Sequence, residues 1–141
     1  MYSIGYTTGV FDLFHIGHLN ILRRAKENCD YLIVGVSTDE LVQSYKDKAP
    51  IISYSERKAI VEAIRYVDKV VPQETLNKIE AHSRLKFNIL FQGDDWKKSP
   101  VYTETEKRFR EIGVEIVMFP YTKGTSSTLL ADILRKHFSN S

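Results

Sequence analysis

Cysteine is almost absent from this chain of 141 residues, which has only Cys29. One thiol cannot form an internal disulfide, so a reducing, cytoplasmic location is expected. The chain also lacks an apolar run long enough to span a membrane, and we expect neither a signal peptide nor a membrane contact. An excess of charge of one sign is missing too. The formal net charge of +2 gives no support for a nucleic-acid partner.

The residues that are present suit one globular domain, residues 1–141, with 43% apolar and 27% charged residues. Apolar, β-prone runs predict strands at residues 2–8, 31–37, 69–71, 88–92 and 115–119. Amphipathic patterns predict helices at residues 16–27, 55–64, 76–83, 103–111 and 127–138. This alternation predicts an α/β fold: a single Rossmann-like domain in which helices cover both faces of a parallel sheet.

Ligands of such sheets bind at the carboxyl ends of the strands. Three unusual stretches directly follow predicted strands: the glycine- and histidine-containing residues 9–18, the acidic residues 93–96 and the hydroxyl-rich residues 120–128. The sequence therefore predicts that all three lie on one rim of the domain.

Residues 9–18 read Gly-Val-Phe-Asp-Leu-Phe-His-Ile-Gly-His and run from a strand into a helix. The first amides of a helix have no partners within it and can bind phosphate. His15 and His18 would lie on one face of the first turn, and Gly17 would let a ligand approach the backbone. A surface pair or half of a zinc site are the alternatives, although no third soft ligand has a suitable spacing.

This stretch resembles the G-x-F-D-x-x-H-x-G-H signature of the cytidylyltransferase branch of the H-x-G-H nucleotidyltransferases. The resemblance continues at residues 37–40, 57–58, 65–68 and 93–96. It implies an enzyme that joins CTP, bound with Mg²⁺, to a phosphate monoester and releases pyrophosphate. It also implies a homodimer and a role in the synthesis of cell-surface polymers.

Glycerol 3-phosphate is the best single expectation for the acceptor. Phosphocholine, phosphoethanolamine, another polyol phosphate or an amino-acid-amide phosphate are alternatives, as are adenylyl transfer from ATP and a non-catalytic nucleotide-binding module.

The resemblance assigns roles residue by residue. His15 and His18 would be catalytic, and no protein-only metal site is expected. Lys46, Arg57 and Arg65 would bind the acceptor phosphate, with both arginines along one edge of their helix. The nucleotide would contact Val10, Phe11, Ile16, Gly17, Lys48, Asp94, Thr122, Gly124, Thr125, Ser126, Ser127 and Thr128.

Other segments are less well defined by the sequence. Residues 44–50 have no regular period and end in a proline, so a loop carrying Lys46 and Lys48 is expected. By resemblance, Asp68 would anchor an arginine. The family pattern Arg-Thr-Glu-Gly-Ile-Ser-Thr has Tyr121 and Lys123 here in place of arginine and glutamate, which leaves the acceptor open.

Overall fold

Five parallel strands form one sheet in the order β3-β2-β1-β4-β5 in this computed structural model, which describes residues 2–93, 102–120 and 127–139. The strands are β1 (Ile4–Gly9), β2 (Tyr31–Ser37), β3 (Lys69–Gln73), β4 (Ile89–Gly93) and β5 (Glu115–Phe119). The helices are α1 (Ile16–Glu27), α2 (Asp39–Lys46), α3 (Tyr54–Glu62), α4 (Lys78–Leu85), α5 (Tyr102–Glu111) and α6 (Ser127–Ser139). The predicted fold class is confirmed.

The sheet is buried on both faces, as the continuous apolar sequence of β2 predicts. One face packs against α1 and α3 through a core that includes Leu22, Val34 and Val61. The opposite face packs against α4 and α5 through a core that includes Tyr6 and Phe109. The carboxyl ends of the strands lie between these two helical layers, at a rim that we call the carboxyl edge.

A small residue in β2 allows the second core to close. A Cβ atom added to Gly35 would lie 2.4 Å from the hydroxyl of Tyr6, so any side chain there would displace the tyrosine. Tyr6 stacks on Phe87 with 4.8 Å between the ring centroids. Gly35 therefore permits the close approach of Tyr6, which fixes the layer beneath α4 and α5.

Helix α2 was not predicted, and it replaces the first half of the expected loop at residues 44–50. Its start is well formed, because the Thr38 side chain accepts a hydrogen bond from the Leu41 amide at 3.2 Å. Asp47 ends the helix in the left-handed conformation with φ 63°. The helix is only 8 residues long and buries only Val42, so its apolar period is too weak to detect.

The other predicted elements are present, some with the predicted bounds and some with shifted ends. Strand β3 continues past the predicted residue 71 to Gln73, and α4 begins and ends two residues later than predicted. Among the described residues, no helix has both the length and the apolarity needed to cross a bilayer.

Candidate active site

His15 and His18 lie face to face at the carboxyl end of β1. Their ring centroids are 4.0 Å apart, and the rings are inclined by 27°. His15 is the N-cap of α1, and its Nδ1 accepts a hydrogen bond from the Gly17 amide at 3.0 Å. His18 Nδ1 accepts in turn from the His15 amide at 3.2 Å. The two side chains therefore cap the first turn of α1 reciprocally.

These hydrogen bonds define the tautomer of both rings. A ring nitrogen that accepts a hydrogen bond carries no proton, so the proton of each neutral imidazole is on Nε2. If the proton moved to Nδ1, or if the ring flipped, each side chain would lose the amide that donates to it. His15 and His18 are therefore oriented as two adjacent N–H donors at the start of α1.

Both histidines are neutral in the free protein. Burial lowers the pKa of His18 to about 3, and the neighbouring His15 lowers it further in the same direction. Burial also lowers the pKa of His15. Before an anion binds, the pair therefore offers uncharged N–H donors. It can stabilise negative charge through hydrogen bonds and carries no permanent positive charge.

The turn before the histidines contains two residues in the left-handed region, Phe11 with φ 56° and Leu13 with φ 51°. Asp12, between them, is buried, and its two carboxylate oxygens accept from the amides of Ile51 and Ile52 at 2.8 and 2.9 Å. These bonds hold the segment after α2 against the turn that carries His15. Asp12 thus links the histidines to the segment that follows Lys48.

Phe11 was predicted to contact the nucleotide, but its side chain is only 4% exposed and belongs to the core. Its ring packs edge-on against His18 with 5.4 Å between centroids. Val10 contributes its carbonyl to a buried arginine. Nucleotide contacts at these two positions remain predictions that concern the main chain.

Arg57 is fully buried, although it was predicted at the end of an exposed helix edge. It donates four hydrogen bonds of 2.6–2.8 Å, which join the ends of β1 and β2, the segment after α2 and the start of α2. Its partners are the carbonyls of Val10, Ser37 and Ile52 and the carboxylate of Asp39. Arg57 therefore joins these segments beneath the carboxyl edge. Its contact with an acceptor phosphate stays a prediction.

Arg65 lies beyond the end of α3, so the expectation that Arg57 and Arg65 lie along one edge of their helix is wrong. Helix α3 ends at Glu62, and the chain then enters β3 at Lys69, so Arg65 lies at the amino ends of the strands. The position is marked by the Asp68 amide, which donates to the carbonyl of Leu32 near the start of β2. Contact of Arg65 with the acceptor phosphate stays a prediction.

Asp68 is structural, as expected, but its partner is not an arginine. Its carboxylate accepts from Lys26 Nζ at 2.6 Å and from the Leu32 amide at 2.8 Å. Burial works to raise the pKa of Asp68, but these two hydrogen bonds lower it by more. The pair therefore connects α1 and β2 at the amino ends of the sheet.

Lys46 and Lys48 are exposed beside this site, one at the end of α2 and the other in the segment after it. Lys46 Nζ lies 5.9 Å from the centroid of the Tyr45 ring. Both ammonium groups are thus available to an anion at the carboxyl edge, which is consistent with the predicted phosphate contacts without testing them.

Several predicted nucleotide contacts lie outside the described residues, namely Asp94, Thr122, Gly124, Thr125 and Ser126. The elements that flank them are described. Asp94 directly follows β4, and the remaining four precede α6, which begins at Ser127 and includes Thr128. Strands β1, β4 and β5 are neighbours in the sheet, so the ends that lead into these segments lie side by side. Ile16 and Gly17 open α1.

A layer of buried polar side chains was missed by the sequence analysis. Ser37 donates to Gln73 at 2.9 Å, and Gln92 donates to Thr8 at 3.3 Å, all on the sheet face that packs against α4 and α5. Lys78 lies one helical turn before buried Ala81 on α4, at the end of that helix nearest the carboxyl edge. It is only 6% exposed, and burial lowers its pKa to about 8.

The described carboxylates at this edge do not form a metal site. Asp12 accepts from two amides, and Asp39 accepts from Arg57 and from the Tyr54 amide. Within the described ranges, no group of three or more histidine, cysteine or acidic side chains is arranged to hold a metal ion. A cation used by this site would therefore be held mainly by the oxygens of a bound ligand and by water.

The arrangement suits the stabilisation of a phosphate group. It combines two fixed N–H donors, the start of a helix and two exposed lysines around one rim.

Comparisons with known proteins agree with this chemistry. The family model described as cytidylyltransferase-like matches residues 6–133. A glycerol-3-phosphate cytidylyltransferase of Bacillus subtilis (strain 168) is 38% identical over 130 residues, covering 89% of this chain and 92% of its own. An FAD synthase of Pyrococcus abyssi is 40% identical over 116 residues, covering 80% and 77%.

A solved structure shows the same fold. The lipopolysaccharide core biosynthesis protein of Thermoplasma volcanium GSS1 superposes with a TM-score of 0.71 at 22% identity, over 89% of this chain and 100% of that protein. The matched family model spans both the histidine pair and the strands that carry it. The chain therefore belongs to the cytidylyltransferase-like family of enzymes.

Proposed function

We propose that the protein transfers a cytidylyl group from CTP to a small phosphate monoester, with glycerol 3-phosphate as the preferred acceptor. The observation that carries the proposal is the pair of imidazoles at the start of α1, whose ring centroids are 4.0 Å apart and whose Nδ1 atoms are fixed by backbone amides, which leaves both Nε2–H groups as donors. The similarity to glycerol-3-phosphate cytidylyltransferases over most of the chain supports the choice of nucleotide and acceptor.

The reaction is an in-line displacement at the α-phosphorus of CTP. An oxygen of the acceptor phosphate forms the new bond to phosphorus, while the bond to the bridging oxygen of the β-phosphate breaks. Pyrophosphate leaves with that electron pair. The acceptor oxygen is already ionised at neutral pH, so the step requires no general base, and positioning and charge stabilisation supply the catalysis.

His15 and His18 stabilise the charge that develops on the phosphate oxygens during this step. Because their caps hold the Nε2–H groups in place beforehand, little reorganisation is needed when the charge develops. A triphosphate close to the rings also favours their protonated form, so nucleotide binding raises the pKa of His18 from its low value in the free protein.

The lysines and the start of α6 provide the remaining contacts in this proposal. Lys48 binds the triphosphate, and Lys46 binds the acceptor phosphate. Ser127 and Thr128 open α6, where free amides suit a second phosphate contact. Mg²⁺ enters as part of the MgCTP substrate, because the described carboxylates at the edge are engaged by amides and by Arg57.

Substrate selection tests the proposal directly. Purified protein is incubated with MgCTP or MgATP and one of several acceptors: glycerol 3-phosphate, phosphocholine, phosphoethanolamine and other polyol phosphates. Released pyrophosphate is measured. We expect CTP with glycerol 3-phosphate to give the highest kcat/KM. Tight CTP binding without pyrophosphate release on any acceptor would instead identify a non-catalytic nucleotide-binding module.

The histidine assignment has its own test. His15→Ala and His18→Ala should each lower kcat by about a hundred- to a thousandfold, which corresponds to the loss of one transition-state donor. His137→Ala is the matched control, because His137 is exposed near the end of α6. Unchanged turnover in the His15 and His18 variants would exclude the proposed mechanism.

Adenylyl transfer is the second candidate, and the FAD synthase relatives favour it specifically. The same phosphate chemistry would apply, with ATP as the donor. The donor comparison described above separates the two candidates, since only one nucleoside triphosphate should support rapid pyrophosphate release. We propose a homodimer in the cytoplasm for either activity.

A further inference from the structure

Arg135, in the second half of α6, reaches a distant part of the chain. Its Nη2 atom donates a hydrogen bond of 2.8 Å to the carbonyl oxygen of Ala49, 86 positions earlier in the sequence. Asp132, one turn back on the same helix, lies 3.9 Å from Arg135 Nη1. The contact therefore joins the last helix of the chain to the segment that carries Lys48.

That segment, residues 47–53, is held from its other side by groups that belong to the candidate active site. Asp12 accepts from the amides of Ile51 and Ile52, and Arg57 donates to the carbonyl of Ile52 at 2.8 Å. These contacts fix only the second half of the segment. Arg135 contacts the first half, at the residue next to Lys48, where residues 43–49 are exposed.

Arg135 connects two elements of the proposed phosphate site, helix α6 and the segment that carries Lys48. Helix α6 begins at Ser127, after β5 ends at Phe119 on the carboxyl edge, and Arg135 lies eight residues further, about 12 Å along the helix axis. A ligand that fixes the start of α6 therefore also fixes the helix that holds Ala49. When a ligand restrains the start of α6, the hydrogen bond from Arg135 to Ala49 therefore also restrains the segment that carries Lys48.

We propose that Arg135 is a positioning residue that couples nucleotide binding at α6 to acceptor binding by Lys46, through the segment that carries Lys48. The proposal rests on the function proposed above. It requires that CTP tighten acceptor binding and, by linkage, that the acceptor tighten CTP binding by the same factor. Arg135 itself touches neither substrate.

The hydrogen bond between Arg135 and Ala49, which we call the clamp, can be tested without turnover by limited digestion with trypsin. Cleavage after Lys46 or Lys48 requires local opening of the segment, so Arg135→Met should be cleaved there about tenfold faster than the unaltered protein. Arg135→Lys keeps a donor and should give an intermediate rate. Arg84→Met is the control, because Arg84 is an exposed arginine that pairs only within α4 among the contacts of the described residues.

Unchanged cleavage of Arg135→Met at Lys46 and Lys48 would overturn the clamp, provided that circular dichroism shows a folded variant. Faster cleavage of Arg84→Met at the same two bonds would overturn it as well, because the effect would then not be specific to Arg135. This assay uses the free protein and does not depend on which nucleotide is the substrate.

The coupling is tested by kinetics with saturating CTP. Arg135→Met should raise the acceptor KM about tenfold, while kcat changes less than about twofold. An unaltered acceptor KM would overturn the coupling, and so would an equal loss of kcat. If no nucleotide and acceptor react at all, the proposed function fails, and that outcome is distinct from a failure of the clamp in the digestion assay.

Discussion

Arg57 and Lys78 are both buried, on opposite sides of the carboxyl edge, and their surroundings differ. Arg57, on the side of α1 and α3, is fully buried and donates to three carbonyls and a carboxylate. Lys78, on the side of α4 and α5, is nearly as buried, and burial lowers its pKa to about 8. A planar guanidinium can satisfy several fixed acceptors at once, whereas an ammonium group loses its proton more readily when it is desolvated.

The comparison teaches what each side of the site is built to do. Around Arg57 three backbone carbonyls and the Asp39 carboxylate converge, so this side holds the histidine turn and the lysine-bearing segment in one arrangement. On the sheet face of that side, polar side chains of β1, β2, β3 and β4 donate to one another in pairs. The first side is therefore a rigid support, and the second can change its charge near neutral pH.

The largest expected effect is the loss of Arg57. Arg57→Met should lower the free energy of unfolding by about 3–5 kcal/mol, because it leaves buried carbonyls and Asp39 without their donor. Urea denaturation measures this, with Arg84→Met as the exposed control, which should change stability by less than about 1 kcal/mol. Similar losses in the two variants would remove the contrast between braced and surface arginines.

His18 gives the next largest effect, through pH. Its pKa is about 3 in the folded chain and 6.5 when unfolded, so below pH 6.5 the unfolded chain binds a proton that the folded chain does not. Stability should be unaffected above pH 6.5 and should fall by about 2 kcal/mol between pH 6.5 and 4.5 on this account. NMR should show no titration of the His18 ring between pH 5 and 8 in the free protein. A midpoint near 6.5 would refute this.

The effect of replacing Lys78 on the free energy of unfolding should depend on pH. Its folded pKa of about 8 lies below the unfolded 10.5, so at pH 7 the fold bears the cost of a buried charge. The unaltered protein should therefore gain stability relative to Lys78→Met as pH rises from 8 to 10.5, because the cost of the buried charge disappears over that range. Denaturation at pH 7 and 10 measures it, with exposed Lys69→Met as the control. The same difference in stability between the two proteins at pH 7 and at pH 10 would refute the lowered pKa of Lys78.

The smallest effect is expected at the opposite edge of the sheet, where Lys26 and Asp68 form a partly exposed pair. Asp68→Asn should lower stability at pH 7 by less than about 1 kcal/mol. Because the pKa of Asp68 is lowered by folding, the difference from the unaltered protein is present above the unfolded pKa and disappears as pH falls through the folded one. A loss as large as that of Arg57→Met would show that burial does not distinguish the two sites.

The sequence predicted the elements with strong local signals. The apolar run of β2 and the periodic pattern of α1 gave their exact bounds, and the glycine- and histidine-containing stretch gave the paired imidazoles. The burial of Arg57 could not be predicted, because it depends on carbonyls from three separate segments that meet only in the folded chain. Lys78 was missed for the same reason, since its helix position resembles that of any surface lysine.

The left-handed residues Phe11 and Leu13 have a consequence for the thermodynamics of ligand binding. A non-glycine residue held at positive φ costs on the order of 1–3 kcal/mol, and here it is imposed by core packing of Phe11 and by the grip of Asp12 on two amides. The turn thus already has its bent shape before any nucleotide arrives. Little conformational entropy remains to be lost there on association, so calorimetry of CTP binding should show a smaller entropic penalty than a turn that folds around its ligand would give.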